Sequence, residues 1–524
     1  MKVTLQAITI TLCCVTQCFS QSQPSWYQLY KHGKDAYARE DYRQAEKDLL
    51  ASKQEAESAG ISGDKLAGIL SDLGTTYQAM ARYTDAEPLD RQALEMREQL
   101  FGPESREAGV SMTNLASVLL FRKAGAAEAE TLASQAVAIL EKAPRGRDNA
   151  LVKALVNLGT IYQAEHRNIE AKRLCERALS LVGQNSTDRV AITVLNHLAR
   201  LYSEEGDYAR AEQFANRALR AAEQMTGPGS ERTAAAVITL ASVKVMEGSY
   251  SAAELLFQRA LMLDQSNLGT SHPRIAADLD NLAVISHKLG NNQEAERLYE
   301  RALSIDESVY GPEHPDCASI LNNLAQVEAS MDHWKEAVEL YQKAIGIWEK
   351  ALGIDDPNIA SVLANLAALY QERHNYRKAD ALCRRALAID EKRLGPEHPK
   401  TISNLSNLGS ISIKRHHFKE AEALLCRSLE LGERVQGKDH PDIAITVRNL
   451  GTLYALQGQY EKAEPYYRRA ISVLEKAWGP TNPQLFSVLN DFVAVLRANH
   501  SYAEAEQWEV RATRVQVVAA LKGR

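Results

Sequence analysis

Cysteine is rare in this chain, and its distribution excludes a disulfide framework. Seven cysteines occur in 524 residues, and three of them lie within the first twenty residues. The remaining four are Cys175, Cys317, Cys383 and Cys426. Disulfide-dependent domains are much richer in cysteine, and structural zinc sites use closely spaced pairs that this sequence does not have. We therefore interpret these four cysteines as packing residues.

The chain also lacks a surplus of positive charge. Lys and Arg total 61 against 67 Asp and Glu, which gives a net charge of −6. Without an overall basic field, a protein has little electrostatic attraction for nucleic acid or for an anionic membrane surface. The sequence therefore predicts no nucleic-acid partner.

Long uncharged runs are missing except at the N-terminus. There Lys2 is followed by an uncharged stretch up to Phe19, with the small residues Cys18 and Ser20 near its end. The stretch is short and polar for a transmembrane helix and is typical of a secretory signal. We expect residues 1–20 to be a signal peptide of an exported bacterial protein, periplasmic or secreted, with no stable membrane span in the mature chain. An uncleaved N-terminal anchor is the alternative.

Sequence signatures of catalysis are absent as well. No H-E-x-x-H, G-x-x-x-x-G-K-[ST] or G-x-S-x-G motif occurs, and these motifs mark zinc peptidases, phosphate-binding loops and serine nucleophiles. Histidines recur at repeat spacing, each before a proline, at His272, His314, His398 and His440. Asp356 takes the same position in another repeat, and Asp is a good helix N-cap. We predict capping histidines, no catalytic residue, no metal site, no cofactor and no small-molecule substrate.

A run similar to Y-x-x-A-E-x-L-x-x-R-A-L occurs twelve times and organises the rest of the sequence. Successive copies are 40 to 43 residues apart, and the last seven steps are all 42. The first alanine of the run, here called the anchor, is Ala45, Ala86, Ala129, Ala171, Ala211, Ala253, Ala295, Ala337, Ala379, Ala421, Ala463 and Ala505. Such a regular period predicts a repeat protein in which neighbouring units pack on each other.

Each unit reads as two amphipathic helices, here called helix A and helix B. Apolar residues recur at three- and four-residue intervals on both sides of a short polar turn. Glycine stands sixteen residues after the anchor in eight units, and proline follows four residues later in six consecutive units. Glycine ends helices and proline begins them. Small residues at the anchor, twelve positions before it and seven after it predict close helix packing.

These features resemble tetratricopeptide repeats. The 42-residue period and the linker G-P-E-H-P-D at residues 311–316 are similar to the kinesin light chain-like subclass. The resemblance implies an all-α fold, a right-handed α-α superhelix over residues 21–524, with helix A on the concave face and helix B on the convex face. Residues 145–149 depart from the usual linker. Because the resemblance covers the repeats alone, it does not imply the activity of kinesin light chains.

Asparagine forms a column on helix A, close to fourteen residues before the anchor. Its members are Asn114, Asn157, Asn281, Asn323, Asn365, Asn407 and Asn449. An amide both donates and accepts hydrogen bonds, and in resembling proteins this position contacts the backbone of a bound peptide. We predict a non-catalytic scaffold whose groove binds an extended peptide or protein segment, with Asn322 and Arg448 beside the column. The alternative is that each asparagine bonds within the stack and keeps the repeats in register.

Two further patterns concern the outer surface. On helix B a basic residue stands six positions after most anchors, and an acidic residue directly follows most of them. We interpret these columns as ion pairs that connect repeats, rather than as a polyanion site. The C-terminal residues 515–521 are apolar, which favours a second function, assembly of an envelope complex through the convex face and terminal repeats. The sequence leaves the oligomeric state and the partner undetermined.

Overall fold

The structure, a computed structural model, describes residues 24–522 apart from positions 40, 81, 122–124, 144–149, 166, 184–185, 187 and 483–484. The expected signal peptide, the linker at residues 145–149 and the proline at position 483 lie outside the described residues. Over the described ranges the chain forms twenty-four helices and no strand. The expectation of an all-α fold is confirmed.

The helices follow one another as twelve pairs, each a helix A and a helix B. In repeats 1 to 6 the pairs are Ser25–Ala38 and Tyr42–Ser58, Asp64–Ala79 and Tyr83–Phe101, Arg106–Phe121 and Ala126–Lys142, Ala150–Ala164 and Asn168–Val182, Arg189–Glu204 and Tyr208–Thr226, Glu231–Met246 and Tyr250–Leu268. In repeats 7 to 12 they are Pro273–Lys288 and Asn292–Tyr310, Pro315–Ser330 and Trp334–Leu352, Pro357–Glu372 and Tyr376–Arg393, Pro399–Lys414 and Phe418–Val435, Pro441–Leu456 and Tyr460–Trp478, Leu485–Ala498 and Tyr502–Lys522.

The chain divides into two compact units between Leu263 and Asp264, within helix B of repeat 6. Inside each unit, helix A packs on helix B of its own repeat, and helix B packs on helix A of the following repeat. Each pair therefore buries its apolar face on its neighbours, which is the packing of a helical solenoid.

Helix ends are where the sequence places them. His272 Nδ1 accepts a hydrogen bond from the backbone N–H of Arg274 at 3.2 Å, and Pro273 occupies the first turn. Asp356 accepts from the N–H of Asn358 in the same way at 2.8 Å. Glycines sixteen residues after the anchor have φ between 80° and 92°, a conformation that glycine adopts without steric cost. The predicted caps of both helices are confirmed.

Small residues bring helix A and helix B together. Eleven of the twelve anchor alanines have no exposed surface, and Ala505 is 1% exposed. At Gly409 an added Cβ atom would lie 2.7 Å from Cγ of Leu425. Since carbon atoms do not approach this closely, a larger residue at this position would push the two helices apart.

Ion pairs connect neighbouring helices B, as predicted, although the acidic partner differs from the expected one. The basic residue six positions after the anchor pairs with a glutamate twelve positions after the previous anchor. Arg427 contacts Glu391 at 2.8 Å and Arg259 contacts Glu223 at 2.8 Å. The acidic residues directly after the anchors bind other basic residues, for example Glu130 with Arg167. These pairs are partly exposed, so each contributes up to about 1 kcal/mol.

Candidate functional site

Neighbouring helices A lie closer together than neighbouring helices B in the unit that begins at Asp264. Pro315–Ser330 contacts Pro357–Glu372, and Pro399–Lys414 contacts Pro441–Leu456. Neighbouring helices B are instead bridged by long arginine and glutamate side chains. A stack with this spacing curves toward its helix A side, so within this unit helices A form the concave face.

One stripe of each helix A points away from the core. In repeat 10 it consists of Lys400, Ser403, Asn407, Ser410 and Lys414, which follow each other at three- and four-residue intervals and are at least partly exposed. The side chains on the other faces of this helix are buried against helix B and the next repeat. The stripe, here called the groove stripe, continues at 42-residue spacing in the helices A before and after it.

Small side chains dominate the second position of the groove stripe. In repeats 7 to 12 this position holds Ala277, Ser319, Ser361, Ser403, Ile445 and Ser487. A side chain of this size leaves space above the helix for a second polypeptide backbone. Only repeat 11 departs, because Ile445 is apolar and is 59% exposed.

The asparagine column is the third position of the groove stripe. Asn323 donates from Nδ2 to Oδ1 of Asp280 at 3.1 Å, and Asn365 donates to Oδ1 of Asn322 at 3.1 Å. Asn449 donates to Oγ of Ser406 at 3.5 Å. Each of these acceptors lies 43 residues earlier, on helix A of the preceding repeat. These three amides therefore link adjacent helices A, and this is the register role that the sequence left open.

Asn322 joins two of these bonds into one chain. Its Nδ2 donates to Oδ1 of Asn323 at 3.1 Å, while its own Oδ1 accepts from Asn365. The resulting chain runs from Asn365 through Asn322 and Asn323 to Asp280. Burial raises the pKa of Asp280, and the hydrogen bond from Asn323 opposes that rise.

Asn407 differs from these three asparagines. The residue 43 positions before it is Ala364, whose methyl group cannot accept a hydrogen bond. Asn407 is exposed on the groove stripe, so its amide is accessible to a ligand from the concave side. For Asn281, the residue 43 positions earlier is Ile238, and Asn281 is half-buried.

The other candidate residues have separate surroundings. Asn157 donates to the backbone carbonyl of Thr113 at 2.7 Å, and Asn114 is half-buried. Arg448 forms an ion pair with Asp491, with Nε and Nη2 at 2.8 and 2.6 Å from Oδ2. Its guanidinium already has a carboxylate partner within the chain, which would compete with any carboxylate of a bound peptide.

A cavity of about 120 Å³ lies beside Asn407, between helix A of repeat 10 and helix A of repeat 11. Its walls include Ile402, Ile443 and Ile445, and its rim includes Ser403 and Asn407. The sequence pattern does not predict this cavity. Gly432, which stands eleven residues after its anchor where two other repeats hold Trp348 and Leu474, lies beside Ile402 and Ile443 of the cavity wall.

Buried carboxylates lie between helix B and the following helix A. Asp306 and Asp390 are 6% and 1% exposed, and both stand eleven residues after an anchor. Burial raises the pKa of Asp306 to about 7 and that of Asp390 to about 6. Nδ2 of Asn404 donates to Asp390 Oδ2 at 2.9 Å and partly opposes the rise. These groups affect stability and lie away from the groove stripe.

In the part of the chain that the structure describes, no three His, Cys, Asp or Glu side chains lie close enough to share a metal ion. None of the described helices combines the length and the apolar character needed to cross a bilayer.

The family model described as tetratricopeptide repeat matches residues 65–142, 151–224, 274–350, 320–392, 358–433 and 414–476, which together cover more than half of the chain. The chain belongs to the tetratricopeptide repeat family. No curated protein matches it by sequence. Proteins of this family present extended concave surfaces to partners, so this chain is a protein-interaction scaffold. No enzymatic family is indicated.

Solved structures similar to this tetratricopeptide repeat chain include kinesin light chain-like proteins. BtubC (BKLC) from P. vanneervenii is 25% identical over 44% of this chain and 91% of its own, with a TM-score of 0.37. A Podospora anserina protein described as a kinesin light chain with nearly identical TPR-like repeats is 24% identical over 40% and 99%, with a TM-score of 0.35. Yeast Tom70 is 12% identical over 93% and 96%, with a TM-score of 0.46.

Proposed function

We propose that the groove stripe of repeats 7 to 12 binds an extended segment of a partner protein, with Asn407 as the main contact to its backbone. The observation behind this proposal is the exposed amide of Asn407 between small side chains on the concave face. An extended strand has alternating N–H and C=O groups, and one primary amide can pair with both.

The charges along the groove stripe favour a segment of mixed character. Its first position holds Arg274, Asp316, Asn358, Lys400 and Asp442, so no sign of charge dominates. A dense basic cluster would select acidic peptides, and the stripe does not have one. The affinity would come from many backbone contacts and from space for side chains.

The binding experiment uses the full chain and a displayed library of random twelve-residue peptides. Selected peptides are synthesised, and their affinities are measured by titration calorimetry on the wild type and on Asn407→Ala. We expect about a tenfold loss of affinity, since one or two hydrogen bonds are removed. Asn216→Ala, on helix B of repeat 5, is the matched control and should leave the affinity unchanged.

If Asn407 contacts the backbone of the peptide, a change to that backbone should also reduce binding. Methylation of the peptide nitrogen opposite Asn407 should reduce binding as strongly as Asn407→Ala, and the two changes together should cost little more than either alone. Equal affinity of the wild type and Asn407→Ala for every selected peptide would contradict the proposal.

A second candidate function, assembly through the C-terminal helix, is favoured by two exposed apolar side chains. Val510 and Val517 are 67% and 52% exposed on Tyr502–Lys522, whereas Val515 is 1% exposed in the core. Replacing Val510 and Val517 with serine therefore tests assembly without disturbing packing. If the chain assembles through this helix, its mass by light scattering will fall to that of a monomer, and an unchanged mass would oppose this function.

We also propose that the chain is exported and loses residues 1–20. The support is the sequence of that segment, an uncharged stretch after Lys2 with small residues at its end. Expression in a bacterium with fractionation of the envelope, followed by mass spectrometry, should find a chain that begins at Gln21. A chain that keeps Met1 in the cytoplasm would refute export.

A further inference from the structure

We infer that the cavity beside Asn407 is a side-chain pocket that takes an uncharged branched aliphatic side chain, of the size of valine or leucine, from the bound segment. This inference rests on the proposed groove function and adds a sequence preference to it. The pocket is lined by residues of repeats 10 and 11.

Next to the cavity, repeat 10 has Gly432 at a position where two other repeats have a large buried side chain. Trp348 and Leu474, each eleven residues after an anchor, are both buried at 5% exposure. Gly432 is the equivalent residue in repeat 10, and an added Cβ there would be 3.4 Å from Ile443 and 3.7 Å from Ile402. These are ordinary contact distances, so a methyl group fits at Gly432, whereas a longer side chain would press on the two isoleucines. Both isoleucines line the cavity.

The base of the pocket is polar but internally hydrogen-bonded. Ser428 Oγ donates to the backbone carbonyl of Ile402 at 3.0 Å, and Thr446 Oγ1 donates to Ser406 Oγ at 3.0 Å. Ser428 and Thr446 are also within 3.3 Å of each other. Hydroxyl groups that are already paired do not require a polar ligand. An aliphatic side chain can therefore cover them at little cost.

The rim selects against charge. Ile445, which is 59% exposed, extends the apolar wall up to the concave face. Asp442 also lines the cavity, and its carboxylate accepts a hydrogen bond from Gln436 Nε2 at 3.2 Å. An acidic side chain would be repelled by Asp442, and a lysine would lose its hydration between the isoleucines. A neutral branched side chain fits both the volume and the wall.

The position of the pocket matches the proposed backbone contact. Asn407 lines the cavity together with Ser403. A segment whose backbone pairs with the Asn407 amide therefore has a side chain directly above the opening. Asn407 and the pocket act as one unit, a polar contact for the backbone and an apolar recess for one side chain.

The experiment uses the full chain labelled with ¹³C at the isoleucine δ1 methyl groups. The probes are N-acetyl-leucine methylamide, N-acetyl-glycine methylamide and N-acetyl-aspartate methylamide. We expect the leucine compound to shift the methyl signals of Ile402, Ile443 and Ile445 saturably at millimolar concentration. It should bind about tenfold more tightly than the glycine compound, since it alone buries an isobutyl group. The aspartate compound should not shift these signals.

Two variants of one chemical type provide the control. Gly432→Leu places a side chain against Ile402 and Ile443, two walls of the pocket, and it should abolish the shifts. Gly346→Leu, on helix B of repeat 8, has open space around it and should leave them intact. If Gly432→Leu does not fold, Ile445→Ser replaces it, since this exposed residue lies outside the core, and it should weaken binding several-fold.

The outcomes separate the pocket from the groove. If none of the compounds shifts the pocket isoleucines, or if the aspartate compound binds as well as the leucine compound, the pocket inference is overturned. Selected peptides that still depend on Asn407 would then show that the groove function stands without the pocket. Loss of the leucine shifts in Gly346→Leu as well as Gly432→Leu would also refute the assignment.

Discussion

Replacing Asp390 with asparagine should stabilise the protein above neutral pH and leave it nearly unchanged in acid. Asp390 is 1% exposed between helix B of repeat 9 and helix A of repeat 10. Burial raises its pKa from 3.8 to about 6, although Lys400 and Asn404 oppose the rise. The folded state therefore holds a proton on this carboxyl that the unfolded chain has already lost.

The direction and size of the effect follow from proton linkage. Since the folded pKa is the higher one, the contribution of Asp390 to the free energy of unfolding falls as the pH rises from about 4 to about 6, and is constant above that. A difference of about two pKa units corresponds to about 3 kcal/mol. Asparagine removes the charge, but its NH₂ group replaces an Oδ1 that has no hydrogen-bond partner among the described residues. Burying this NH₂ group without a partner costs about 1–2 kcal/mol. The expected net gain in the free energy of unfolding at pH 8 is therefore about 1–2 kcal/mol.

The measurement compares urea unfolding of the wild type and Asp390→Asn at pH 4.5, 6 and 8. Long repeat arrays need not unfold in one step, so circular dichroism is combined with hydrogen exchange of residues 376–414. Asp439→Asn is the matched control, because the Asp439 side chain is 65% exposed beside Lys476. It should have no pH-dependent effect of this size. A gain in stability that is equal at pH 4.5 and pH 8, or a loss of stability at pH 8, would contradict this prediction.

Three further predictions concern the packing of the repeats. Asn365→Ala should lower the free energy of unfolding by about 1 kcal/mol, since Asn322 loses its donor, whereas Asn407→Ala should change it by less than about 0.5 kcal/mol; urea unfolding of the two variants compares them. Gly409→Ala should destabilise the protein by about 1–3 kcal/mol, because the added Cβ has no space. Gly346→Ala, which adds a Cβ in open space, should stabilise the protein by about 0.5–1 kcal/mol. Equal effects of the two variants in thermal unfolding would contradict this expectation. Arg385→Ala, which removes an exposed ion pair with Glu349, should cost less than about 1 kcal/mol, and 1 M salt should reduce that cost; a loss that salt does not reduce would indicate packing instead.

Much of the fold depends on local sequence patterns, and these patterns recur often enough to predict the fold from the sequence. Helix ends depend on the residues beside them, so Gly353, Pro357 and Asp356 predict where one helix stops and the next begins. The anchor alanines and Gly409 similarly mark close approach, because only a small residue fits between two packed helices. Twelve repetitions of one pattern turned these weak local preferences into a definite fold.

The hydrogen-bond partners of the asparagine column could not be predicted from the sequence in the same way. Asn323, Asn365 and Asn407 occupy one sequence position, yet two of them bond to the preceding repeat and the third faces the groove. The difference depends on the residue 43 positions earlier, which is Asp280 or Asn322 in two cases and Ala364 in the third. The period of 42 does not indicate this separation of 43 residues, because the separation depends on how neighbouring helices A pack against each other.

The family, the repeat number, the helix caps and the buried positions can be predicted from the sequence alone, since each depends on short-range geometry and on a repeated apolar pattern. The folded structure was needed to show that Arg448 pairs with Asp491 and that a cavity lies beside Asn407. Both result from packing between neighbouring repeats, where the space left by one side chain depends on residues about one period away. The groove is thus a property of the repeated sequence, and its individual contacts are a property of how the repeats stack.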